Sequence, residues 1–81
     1  MELKDTIKMM DNADYKERFK AEYYQLRIRF EKLDIMCGEW DIGELDFIPT
    51  CPRSIYDLQL RAMSNYMTAL EMRAKIENIE L

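Results

Sequence analysis

The sequence predicts an all-α protein: two long helices folded into an antiparallel hairpin, with a short N-terminal helix and an ordered acidic and aromatic connection. Three observations carry this expectation. Apolar residues recur at alternating spacings of three and four along two long stretches, which is the period of a helix face and not of a strand. Glycine and proline number two each, too few for the turns of a β-sandwich or barrel. The 81 residues leave room for one domain. We read residues 1–81 as that domain, with a variable arm or short helix at 1–12, helices at 14–37 and 53–79, and a connection at 38–52.

The first long helix is expected to start at Asp14, an N-cap, with Glu17 three residues on reaching back in a capping box. Phe19, Tyr23, Leu26, Phe30, Leu33 and Cys37 then form a heptad seam. Gly38 suits the left-handed position that stops a helix, so the helix is expected to end at Cys37. The connection carries Gly43, Pro49 and Pro52, which break helical periodicity, and Trp40, Ile42, Leu45, Phe47 and Ile48, which are too apolar for a loose linker. Thr50 or Ser54 is the expected start of the second helix, with Pro52 tolerated only before or within its first turn.

The second helix carries two seams. Ile55, Leu58, Ala62, Asn65, Ala69, Met72, Ile76 and Ile79 form one, and Tyr56, Leu60, Met63, Met67, Leu70 and Ala74 form the other. One packing partner needs one stripe, so two stripes call for two partners. The first helix is one. The N-terminal segment, with Leu3, Ile7 and Met10, or a second copy of the chain must be the other. At 1.5 Å per residue the helices reach roughly 35–40 Å, more than a short arm covers. We therefore expect the flank of Tyr56, Met63, Met67 and Leu70 to need another copy, giving a homodimer or higher oligomer built as a helical bundle, with Asn65 setting register. The plainer alternative is a monomeric three-helix bundle.

Composition narrows the function. Hydrophobic residues at 48% and charged residues at 35% describe a globular chain and not a disordered one. Histidine is absent, which removes the usual general base near neutral pH and the commonest metal ligand. The phosphate-binding, dinucleotide-binding, zinc-protease and serine-hydrolase signatures are all missing. Ser54 and Ser64 have no histidine to activate them. No enzyme activity and no cofactor are expected. Cys37 and Cys51 make neither a disulfide framework nor a four-ligand zinc site, and are read as reduced structural thiols. Met1 to Met10 lacks a signal-peptide pattern and no stretch nears the ~20 apolar residues of a membrane span, so a cytoplasmic protein away from membranes is expected.

Charge singles out two surfaces. The net charge is −4, which argues against general DNA binding. Residues 15–32 nevertheless hold Lys16, Arg18, Lys20, Arg27, Arg29 and Lys32 against three glutamates. Lys16, Lys20 and Arg27 share a stripe beside Tyr23 and Tyr24, a set that suits a ligand with phosphates to grip and a base to stack on. The plainer reading of the same stripe is a solvated face with Glu17 and Glu22 as local partners. The second surface is Glu39, Asp41, Glu44 and Asp46, with no basic residue among them. Its spacing is not that of a calcium loop, so no metal is expected. It suits a basic face on a partner protein.

Beyond these patterns, the run Tyr15-Lys16-Glu17-Arg18-Phe19-Lys20-Ala21-Glu22-Tyr23-Tyr24-Gln25-Leu26, the run Gly43 to Pro52, and the closing Glu71-Met72-Arg73-Ala74-Lys75-Ile76-Glu77 resemble a family of short, uncharacterised phage and prophage proteins related to a product of a crAss-like phage. The likeness covers about residues 15–81. It implies a protein made in a bacterial host cell, and it transfers no catalytic residue. By analogy of context and not of site, the resemblance implies action on the host by binding. The first functional expectation is accordingly a non-enzymatic anti-defence sponge that holds a cyclic-nucleotide-type immune signal in an oligomeric pocket, with Lys16, Lys20 and Arg27 on phosphate and Tyr23 and Tyr24 stacking. An inhibitor of a host defence or nucleic-acid-processing enzyme acting through the acidic loop is the second, and a structural or regulatory phage accessory the third.

Overall fold

The computed structural model describes residues 1–81 and is all-helical, with no strand. A 3-10 turn at Leu3–Thr6 runs into α1, Ile7–Met10; α2 spans Tyr15–Asp41 and α3 spans Arg53–Glu77. The molecule is elongated, 43 × 24 × 17 Å, because 27- and 25-residue helices set its long dimension.

α2 begins as its sequence dictates at one point and not at another. The Asp14 carboxylate accepts from the Lys16 backbone N–H at 3.0 Å, satisfying a donor that the first turn would leave orphaned. Glu17 does not complete the box; it pairs with Lys20 at 3.4 Å instead. Arg18 takes up the carbonyls of Asn12 and Ala13, both at 2.8 Å, and so fixes the entry of the chain.

The expected stop at Gly38 is wrong. The helix continues through Gly38 to Asp41, and the left-handed residue is Gly43, at φ +74°. There the Glu44 N–H donates to the Glu39 carbonyl at 2.8 Å, the six-to-one bond of a Schellman stop. α3 closes with the same device. Asn78 takes φ 58° and ψ 45°, and the Ile79 N–H reaches the Ala74 carbonyl at 2.8 Å. The start of α3 also differs from expectation. Pro52 is the cap residue with no side-chain bond, and neither Thr50 nor Ser54 caps; the proline supplies φ −60° and has no N–H to satisfy.

Contacts between α2 and α3 run in reverse order. Tyr15 donates to Glu77 at 2.9 Å, Tyr66 donates to Glu22, and the Trp40 and Tyr56 rings meet edge-on at 5.7 Å. The core lies between the start of α2 and the end of α3: Phe19, Tyr23, Leu70, Ala74 and Ile79, with Leu26 and Met67 half-buried against them. Ile79 reaches it only because Asn78 turns the chain back. At the other end Arg53 grips both oxygens of Asp41 at 3.0 and 3.1 Å and lies over Trp40.

Two expectations about coverage are overturned. The N-terminal segment packs on α2 and not on α3. Thr6, 1% exposed, accepts from Gln25 at 2.9 Å, and the stripe of Ala21, Gln25 and Ile28 receives the segment. The seam thought to need another copy is already turned to α2: Leu70 and Ala74 are buried, and Tyr56, Leu60, Met63 and Met67 are half-buried. The bare seam is the other one. Ile55, Leu58, Ala62, Asn65, Ala69, Met72 and Ile76 are all exposed.

Candidate functional site

The stripe Lys16, Lys20, Tyr23 and Arg27 lies along α2 beside the closing turn of α3, and there it borders a groove. The first part is an open hollow of about 570 Å³ lined by Lys16, Lys20, Ala74, Lys75, Asn78, Ile79 and Glu80. A second hollow, about 270 Å³, continues it past Ala74, Lys75 and Ile79 to Tyr23, Arg27 and Glu71. Four cations thus border one groove, with two carboxylates at its margins and Ala74 and Ile79 as an apolar floor.

Three of the four cations have a partner, and only two of those partners are local in sequence. Lys16 reaches across to donate to the Asn78 carbonyl at 3.2 Å. Lys20 is held by Glu17 and Arg27 by Glu31, at 3.4 and 3.1 Å; both pairs are exposed or half-exposed, a regime in which ion pairs contribute little and exchange readily with solvent. Lys75 has no acidic partner within ion-pair distance. Sequence reasoning missed it. The signal was available, since an antiparallel pairing puts the last turn of α3 beside the first turns of α2.

The two tyrosines do not act together as expected. Tyr23 is 8% exposed and belongs to the core; burial, and next the Glu71 charge, push its hydroxyl above its usual range. Its ring is therefore closed to stacking. Tyr24 meets Tyr23 edge-on at 5.6 Å and faces a separate hollow with Met1, Arg27, Ile28 and Glu31. The floor of the groove is aliphatic instead.

The four acids of the alternative surface fall around the end of α2, where the Glu44 N–H meets the Glu39 carbonyl. Glu39 and Asp41 lie in the last turn of α2, while Glu44 and Asp46 lie beyond its end. Asp41 is engaged by Arg53, whose bonds hold its carboxyl below the usual carboxylate range. Cys37 is buried, and burial raises its thiol.

A model of one protein family, Sequestin, matches residues 13–76, a span that holds all of α2, all of α3 but its last residue, and all four groove cations. Neither a search of curated proteins nor one of solved structures gave a match.

Proposed function

The chain belongs to the Sequestin family, and from that premise we propose that it binds and withholds a small anionic ligand without transforming it. The family's name is compatible with a sequestering role and suggests a binding protein, not an enzyme. The observation that carries the reading is the meeting of Lys16, Lys20 and Lys75 around one hollow, with Arg27 bordering its extension. Lysines on opposite walls grip phosphate oxygens as point charges, and the Ala74 and Ile79 floor takes the less polar part of the ligand.

The ligand class is a nucleotide-derived signal of the cyclic dinucleotide or cyclic ADP-ribose kind, and the setting is a phage protein acting against bacterial immunity in the host cytoplasm. Sequestration needs no general base, which suits a chain without histidine. The two long helices form the hairpin that sets the groove's walls, and copies associate. To test this, the purified chain is incubated with cyclic dinucleotides and cyclic ADP-ribose isomers, washed and heated, and the released nucleotide is identified by mass. Retention of one class is expected, lost in Lys20→Ala/Lys75→Ala with helicity unchanged. A wild-type chain that retains none of them refutes the reading.

A further inference from the structure

Beyond ligand capture, we infer that the bare face of α3 is the surface on which a second copy of the chain sits, and that the two α3 helices cross in opposite directions at Asn65. The face is large. Ile55, Leu58, Met72 and Ile76 are 47%, 60%, 60% and 78% exposed. Together they leave on the order of 500 Å² per copy, before Ala62, Ala69 and Tyr66 add theirs, against the roughly 800 Å² per partner of a standard interface. Nothing within the chain covers it, because α2 takes the neighbouring seam and the N-terminal segment takes α2.

The order of residues identifies the occupant. Read outward from Asn65, both directions give a small residue and then two large apolar ones: Ala62, Leu58 and Ile55 one way, Ala69, Met72 and Ile76 the other. A two-fold interface must be complementary to itself, and a face that reads alike in both directions meets that demand when a copy is laid over it reversed. Small residues at the middle let the backbones approach there, and large ones fill the gaps where crossing helices part. Asn65 then meets Asn65 of the other copy, a polar pair that fixes the crossing point.

Direction follows from the flanks. A parallel crossing brings Arg73 and Lys75 of both copies to the same end. The reversed crossing sets Arg73 level with Asp57 and Lys75 level with Ile55, and also opposes the helix dipoles. It has a consequence for the groove. Arg53 and Glu77 lie twelve residues either side of Asn65, so the positive N-terminal end of the second copy's α3 comes level with the turn at Asn78 that lines the first hollow. This last point rests on the capture reading; the pairing does not.

The test reads mass, direction and capture separately. Sedimentation of the full chain is expected to give twice 9.8 kDa, and Ala62→Arg/Ala69→Arg, two changes at exposed positions, is expected to halve it with helicity intact. In a Cys51→Ser background, Leu58→Cys mixed with Met72→Cys is expected to give a disulfide-linked mixed pair on oxidation, and neither alone a linked pair. A wild-type chain of 9.8 kDa across the accessible concentrations, or Leu58→Cys linking to itself, overturns the inference. Nucleotide release from the same samples is scored independently. A dimer that retains nothing refutes the sponge and leaves the interface standing, and a monomer that retains nucleotide does the reverse.

Discussion

Lys16 and Asn78 are 62 residues apart in sequence, and the ammonium of the first donates to the backbone carbonyl of the second at 3.2 Å. This bond ties the first turn of α2 to the residue that ends α3, and it closes one end of the cationic groove. Asn78 does two things at once. Its left-handed backbone exposes that carbonyl to Lys16 and sends Ile79 back into the core.

Asn78 is therefore a sensitive position for a backbone reason. Asn78→Gly should be neutral or slightly stabilising, since glycine adopts positive φ freely. Asn78→Val should cost about 1–2 kcal/mol, because a β-branched residue resists that conformation. Urea melts followed by circular dichroism separate the two; equal stability of both variants rules out the left-handed stop.

The two glycines should respond oppositely to alanine. Gly38 sits inside α2 with open space around its α-carbon, so Gly38→Ala should raise stability by about 0.5–1 kcal/mol. Gly43, at φ +74°, should lose stability when changed to alanine. A destabilised Gly38→Ala would mean that α2 stops at Cys37 after all.

Leu70 is 1% exposed at the centre of the core. Leu70→Ala should cost about 2–5 kcal/mol by opening a cavity among Phe19, Tyr23 and Met67. Leu58→Ala, on the bare seam, should leave the stability of the isolated chain nearly unchanged and weaken only self-association. Thermal melts at low and high protein concentration distinguish these effects.

Alkaline pH should loosen the core. Burial raises Tyr23 above 10.0 and Cys37 above 9.0. A group whose folded-state pKa is raised contributes stability below its unfolded value and loses it as pH climbs through the folded one. Stability should thus decline above pH 9 to 10, and Tyr23→Phe should flatten the upper part of that slope. An identical slope in Tyr23→Phe would show that its hydroxyl ionises as freely in the folded chain as in the unfolded one.

Capture by the groove should be ionic in character. Lys75→Glu should abolish nucleotide retention, whereas Arg29→Glu, on α2 but in a different hollow, should leave it close to wild type. Raising salt should weaken retention, because the lysines and the bound phosphates are both partly wet and screened by ions. Retention unaffected by Lys75→Glu would place the ligand elsewhere.

The sequence by itself determined the helices and their seams, because a three-and-four spacing of apolar residues is a local property that any helix displays on one face. Asp14 as a cap and the absence of strands were legible for the same reason. Which seam of α3 meets α2 was not legible. Both seams carry the same period, and the choice depends on how the closing turn at Asn78 places Ile79 against Phe19 and Leu70. The end of α2 escaped because Gly38 and Gly43 look alike in sequence, and only the packing of Trp40 on Tyr56 and the grip of Arg53 on Asp41 carry the helix to the second. The groove was half legible. Lys16, Lys20 and Arg27 share a stripe of one helix, while Lys75 joins them from a helix some fifty residues on, and Tyr23 leaves the ligand's reach because the core takes its ring. Period fixes the face a residue occupies; only the tertiary structure decides what lies opposite it.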